Sequence, residues 1–260
     1  AALWLNWQFA TPSHSRDWGP LYAVQPTVEV TDGDYVIENV RNWDNGPEGQ
    51  TSPEWITALL DPDLLTRVWF IEEPFGDMRA IAHTMLAFEF ADGSAYVASV
   101  EARREVGEGF GGLKAGILPM HEYLVYWTTE RDMYGNSTFF TGDDLHHFPL
   151  DLPPDAARAV LEGMIAETEE LETTPRWYNT FFTNCTNVLA RAVNSVAEAA
   201  VPWDLAWYLP GYAAEFLYDQ GLVAGEGTFE EARANGHVSP RVVSAYGIED
   251  PVAFSRAIRD

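Results

Sequence analysis

Two things are scarce in this chain, cysteine and positive charge. Cys185 is the only cysteine, so no disulfide can close within the chain. A lone thiol leaves the redox compartment open, because a reduced cytosolic protein and a periplasmic protein with one working thiol look alike. Lysine and arginine number 15 against 40 aspartates and glutamates, a formal net charge of −25. That balance argues against a nucleic-acid partner and against a polybasic membrane patch. Long apolar runs are also missing. No window of about 18 uninterrupted apolar residues exists, so these residues supply no membrane-spanning helix. No signal peptide is visible. The glycine-rich run at 107–119 (GEGFGGLKAGILP) lacks the GK[ST] ending and the following helix of a phosphate loop. It reads as a turn-rich connector.

Apolar residues are plentiful, at 47% of 260, enough for one large domain or two small ones. Residues 1–10 (AALWLNWQFA) are uncharged and aromatic. They suit a membrane interface or an element docked on the core. Val28–Val40 reads as a hairpin around Asp32-Gly33, 45–53 as a loop, and 64–71 as a short buried strand. Glu122–Thr129 reads as a further strand. Pro153-Pro154 opens a helix reaching about Glu172, with Val160, Leu161, Met164, Ile165 and Thr168 as its inward stripe. The run DDLHH (143–147) invites a metal reading. Adjacent histidines on a strand point to opposite faces and rarely share one ion, so no metal and no cofactor is expected.

The chemistry-bearing residues fall in two stretches. The first is 80–105, in which apolar-rich runs flank Asp92-Gly93, a short-hairpin signal. With Asp92-Gly93 as the turn, paired residues sum to about 185. Thr84 then faces Glu101, with His83 beside them at the far end of the hairpin. A carboxylate so placed can orient an imidazole as general base, and Glu101 is the first candidate for that role. A one-residue slip would turn Glu101 away, and Arg103 and Glu130 are the next candidates. The alternative is a structural histidine.

The second stretch is Trp177–Leu189. Asn184 is a good N-cap, and Cys185 falls in the first turn of a helix whose apolar stripe is Val188, Leu189, Ala192, Val193 and Val196. A thiol at a helix start has its pKa lowered by unpaired N–H groups and the dipole, which suits a nucleophile. Backbone N–H groups of Asn184 or Thr186 are candidates for an oxyanion hole. The alternative is a buried structural thiol. The aromatics Trp177, Tyr178, Phe181 and Phe182 suit either a groove wall or the core.

Taken together, the segments PSHSRDW (12–18), NVRNW (39–43), IAHTMLAFEF (81–90), SVEARRE-GEGF (99–110), HEYLVYWTTERD (121–132), PRWYNTFFTNCTNVL (175–189) and LPGYAAEFLYDQGL (209–222) resemble the Lnb N-terminal periplasmic domains of lipoprotein acyltransferases. The match departs at Asn187, where many members carry threonine. The resemblance implies an α+β, papain-like fold of the circularly permuted NlpC/P60 kind, with a central antiparallel sheet packed against helices. Its catalytic pair maps to Cys185 and His83. Domain limits follow as a membrane-proximal arm (1–20), a catalytic domain (21–222) and a C-terminal extension packed on it (223–260). The expected activity is acyl transfer through a thioester on lipoprotein or lipid acyl chains. The expected site is the outer face of the bacterial inner membrane, with an anchor upstream of Ala1. An amidase or peptidase acting on peptidoglycan peptide is the alternative enzyme, and a binding module the non-enzymatic one.

Overall fold

The computed structural model describes residues 11–51, 53–76, 78–109, 118, 120–180, 182–196 and 204–259. The uncharged stretch 1–10, most of the glycine-rich connector and Phe181 lie outside them.

The hairpin predicted around Asp32-Gly33 is present as β1 (Thr27–Thr31) and β2 (Asp34–Arg41). Asp32 and Gly33 both take positive φ (55° and 99°), as a tight two-residue turn requires. The predicted loop at 45–53 instead holds a small ladder, β3 (Asp44–Gly46) with β4 (Gly49–Thr51), turned by Gly49 at φ 105°. Then come β5 (Trp55–Leu60), β6 (Leu65–Pro74), β7 (Ala82–Phe90), β8 (Ala95–Arg103), β9 (Glu122–Thr129) and β10 (His146–Pro149). The main sheet has 8 strands in the order β1-β2-β9-β8-β7-β6-β10, with β5 on β2. Among the described residues all pairings are antiparallel except the single parallel contact of β2 with β9 at Arg41↔Thr128.

Both faces of this sheet are buried, which is why β7 reads as an almost continuous apolar run. Leu86, Phe88 and Phe90 point to one core, covered by α2 (Pro154–Thr173) and α3 (Cys185–Val196). Met85 and Ala87 point to the other. There α1 (Glu130–Gly135) and the C-terminal helices α6 (Ser239–Ala245) and α7 (Pro251–Ala257) supply Met133, Tyr134, Val242 and Phe254. The helices α4 (Ala213–Asp219) and α5 (Phe229–Gly236) lie between α3 and α6 in the chain. The predicted stripe of α2 is buried at all its positions. In α3, Val188, Leu189 and Ala192 are buried; the side chains of Val193 and Val196 lie outside the described residues.

The arm 12–18 is tied to the start of β9. Arg16 Nε donates to Glu122 Oε1 at 2.6 Å and the Ser13 N–H to the same oxygen at 2.9 Å. The segment NVRNW serves the frame. Asn39 sits in the left-handed region (φ 61°) where β2 shifts register against β5. Beyond that shift Arg41 is buried, and its Nε and Nη2 meet Asp132 at 2.9 and 2.8 Å. Asp132 also accepts the Trp43 N–H at 2.7 Å and the Asn45 side-chain amide at 2.6 Å. This buried carboxylate is fully partnered, as its burial demands.

Candidate active site

The cap on α3 sets the position of the thiol. Asn184 Oδ1 accepts the Asn187 N–H at 2.8 Å, and its amide nitrogen donates to the carbonyls of Thr180 and Trp207 at 3.0 and 3.2 Å. The Asn184 side chain is therefore committed to holding the helix start. Cys185 follows in the first turn, 4% exposed.

Strands β7 and β8 part at this point. Their pairing runs from Glu89↔Ala95 to Met85↔Ser99 and goes no further, although β7 begins at Ala82 and β8 continues to Arg103. The sulfur of Cys185 meets this opening, where it accepts hydrogen bonds from the Thr84 backbone N–H and side chain. Thr84 Oγ1 also lies 2.9 Å from Thr186 Oγ1, which ties the second residue of α3 to the sheet.

Across the same opening stand His83 and Glu101. His83 Nε2 lies 2.9 Å from Glu101 Oε1 and 2.7 Å from Ser99 Oγ. Ser99 in turn donates to Glu101 Oε1 at 2.8 Å. The His83 ring also hydrogen-bonds the Cys185 thiol. Burial by itself would lower the His83 pKa, but the charges of Glu101 and Cys185 outweigh it and hold the imidazolium well above the ordinary histidine range. Burial likewise opposes ionisation of Glu101, yet His83 and Ser99 bring it down to about 2. For Cys185, burial is overcome by His83 and Thr84, and the thiol is shifted toward the thiolate. The arrangement sets a thiol of lowered pKa beside an imidazolium with a carboxylate behind the ring, the pattern of a nucleophile and its base.

The register differs by one residue from the sequence expectation. Phe90 and Ser94 close the hairpin, with the Phe90 N–H on the Ser94 carbonyl at 2.9 Å and Gly93 at φ 90°. The loop is Ala91-Asp92-Gly93, one residue longer than a bare Asp92-Gly93 turn. Pairs therefore follow Met85↔Ser99, and His83 rather than Thr84 falls opposite Glu101. Thr84 turns instead to α3.

Arg103 and Glu130 do not form a cluster and do not reach the thiol. Arg103 Nε donates to the Tyr22 carbonyl at 2.9 Å, and its guanidinium lies 4.3 Å from the Trp18 ring centre. Glu130 receives two bonds from Arg259, at 2.6 and 2.7 Å. It follows Thr129, which pairs with Tyr96 at the hairpin-loop end of β8, away from Glu101. In the DDLHH run, His146 turns to the Arg233 carbonyl (3.1 Å) while His147 stacks on Trp69 (4.7 Å). Burial, aided by neighbouring arginines, brings them down to about 4 and about 3. Among the described residues no group of three or more histidines, cysteines and carboxylates is placed to hold a metal.

The thiol and His83 open on a cleft of about 620 Å³, within the roughly 300–1,000 Å³ common for small-molecule sites. Its walls are mostly apolar and include Phe75, Ile81, Val100, Met133, Phe140 and Leu209. Of the aromatics before Cys185, Tyr178 lines this cleft, while Trp177 packs against Arg16 (5.4 Å) and Phe182 is 67% exposed. A residue that sequence reading missed also lines it. Glu73 of β6 pairs directly with His83 of β7. Only the pairing of β6 with β7 reveals it, because the link between those strands is longer than a tight hairpin turn.

The family model of the Lnb N-terminal periplasmic domain matches residues 51–210. No curated protein and no solved structure matches the chain.

Proposed function

The chain belongs to the family of Lnb N-terminal periplasmic domains, which gives it an extracytoplasmic role, and from that premise we propose that it is a papain-like thiol acyltransferase acting on lipoprotein or lipid acyl chains. Cys185 is the nucleophile, His83 the base and acid, and Glu101 the residue that orients His83. The Cys185 sulfur attacks the ester carbonyl of an acyl chain held in the cleft. His83 gives its proton to the departing alcohol, leaving an acyl-Cys185 thioester. The acceptor then attacks the thioester and yields its proton to His83, and the thiolate leaves.

The start of α3 stabilises the oxyanion. Asn187 and Val188 N–H groups are taken by Asn184, and helix geometry leaves those of Cys185 and Thr186 without an intrahelical partner. The order of His83 before Cys185 fits the permuted form of the papain arrangement.

One observation carries the lipid reading. The thiol, with its base at hydrogen-bond distance, faces a large cleft whose walls are mostly apolar, suited to an acyl chain rather than a peptide of the cell wall. The test supplies a diacylated lipopeptide and a muropeptide in parallel and follows both by mass spectrometry. Cys185-dependent movement of an acyl chain supports the proposal. Cleavage of the muropeptide with the lipopeptide untouched overturns it in favour of an amidase.

A further inference from the structure

We infer that the rim of the thiol cleft docks on lipid, seating the cleft mouth on an electrically neutral bilayer surface by inserting exposed apolar side chains. The inference rests on the lipid reading above for its choice of partner. Its test reads binding rather than chemistry, so each can fail without the other.

Eleven large apolar side chains are exposed among the described residues, and six of them belong to this rim: Phe75, Met78, Ile81, Phe140, Phe182 and Leu205. Phe75, Ile81 and Phe140 are part of the cleft wall itself. Met78 stands in the same loop, where its carbonyl accepts the Ile81 N–H at 3.0 Å and the Ile81 carbonyl accepts the Phe75 N–H at 3.1 Å. The Ala80 carbonyl accepts the Gly211 N–H at 3.3 Å, which joins that loop to the segment 205–212. There the Leu205 carbonyl accepts the N–H groups of Tyr208 and Leu209 at 3.0 and 3.1 Å, and both of those residues line the cleft. Phe182 packs edge-on against the Tyr208 ring at 6.3 Å. Phe140 comes from the helical turn Asn136–Thr141 after α1.

Single exposed apolar residues are ordinary on a protein surface, but a ring of them around one opening marks an interaction site. These six come from four separate segments and frame a hollow. A protein partner would have to match that hollow in shape, whereas a lipid surface yields to it. An acyl chain then passes from the bilayer to the apolar walls of the cleft without crossing water. Among the described residues no helix is long and apolar enough to cross a membrane, so these residues meet lipid at its surface. Charge narrows the kind of lipid. A chain of net charge −25 is repelled by an anionic surface, so attachment comes from apolar insertion into a neutral one. Arg79 fits such a rim. Next to Met78 in the chain, its guanidinium lies 5.1 Å from the Tyr212 ring centre and bonds Glu215, a cation and an aromatic of the kind that border lipid.

The experiment floats the purified chain with phosphatidylcholine vesicles, and again with phosphatidylglycerol mixed into them. The wild type should float with the neutral vesicles, with little response to salt, and less with the anionic ones. Met78→Asp and Leu205→Asp should each lower the partition coefficient about tenfold or more. Both side chains are exposed and outside the cleft wall. The alkylation midpoint of Cys185 should therefore stay at its wild-type value in both, which shows the fold and the cleft intact. Leu59→Asp is the control. Leu59 is 62% exposed, as Met78 is, but pairs with Val36, five residues along β2 from the cleft-lining Arg41. Its partition coefficient should not change. No flotation of the wild type, equal losses for Met78→Asp and Leu59→Asp, or binding that grows with phosphatidylglycerol overturns the proposal. A wild-type dimer that dissociates in Met78→Asp and ignores vesicles assigns the rim to a protein partner and overturns it too. Rim-dependent flotation of a protein that never forms acyl-Cys185 sustains the docking and overturns the acyl-transfer reading alone.

Discussion

His83 and Glu101 face each other across the parting of β7 and β8, with Nε2 and Oε1 2.9 Å apart. The contact turns a buried imidazole, which burial alone would leave neutral, into a cation. That cation is what shifts the Cys185 thiol toward its thiolate.

Cys185 should therefore alkylate with iodoacetamide at a midpoint below about 8.5, the value for an unperturbed thiol. His83→Ala should move the midpoint upward, since burial then acts on the thiol unopposed. Acyl transfer should fall by about 10²–10⁴ in the same variant. Stopped-flow alkylation across pH gives the first two results and product assay the third.

The Glu101–His83 pair also predicts how stability responds to pH. Glu101 is held down to about 2 from an ordinary 4.5, so its contribution is present above 4.5 and is lost as pH falls toward 2. His83 is raised, so its contribution is present below 6.5 and is lost as pH rises through its folded-state value. Urea unfolding should show Glu101→Gln flattening the loss on the acid side. The same variant should raise the alkylation midpoint of Cys185, because burial then dominates the His83 ring.

Asp132 should matter to folding rather than to chemistry. It is wholly buried and receives bonds from Arg41, Trp43 and Asn45. Asp132→Ala leaves the Arg41 cation buried without its partner, at a cost of about 3–5 kcal/mol. Chemical denaturation should show that loss, with the alkylation midpoint of the folded fraction unchanged.

These residues differ in how far the sequence betrays them. Cys185 at a helix start is legible because its signals are local: the cap at Asn184 and the apolar spacing of Val188, Leu189 and Ala192. Glu122–Thr129 is legible as a strand for the same reason. The partner of His83 was legible only to within one residue, since Asp92-Gly93 fits both a two-residue and a three-residue loop and Ala91 carries no mark of which. Arg103 is two residues from Glu101 and Glu130 directly follows β9, but strand direction carries Glu130 to the hairpin-loop end of the sheet. Glu73 is invisible without the β6–β7 pairing, because the link 75–81, although it holds Gly76, is longer than a tight hairpin turn and leaves the register open.

The cleft walls offer a size test. Ala102 lines the cleft and is 8% exposed. Ala102→Phe fills part of the space, at an overpacking cost of about 1–3 kcal/mol. Transfer from a long-chain acyl donor should fall more than transfer from a short-chain one. Equal losses for both lengths would separate the cleft from chain binding.

The most direct measurement is the mass of the peptide carrying Cys185 after brief incubation with a diacylated lipopeptide and acid quenching. A mass increase of one acyl chain on Cys185, absent in His83→Ala, is the predicted result. An unmodified Cys185 peptide, with a muropeptide cleaved under the same conditions, would contradict acyl transfer at this site.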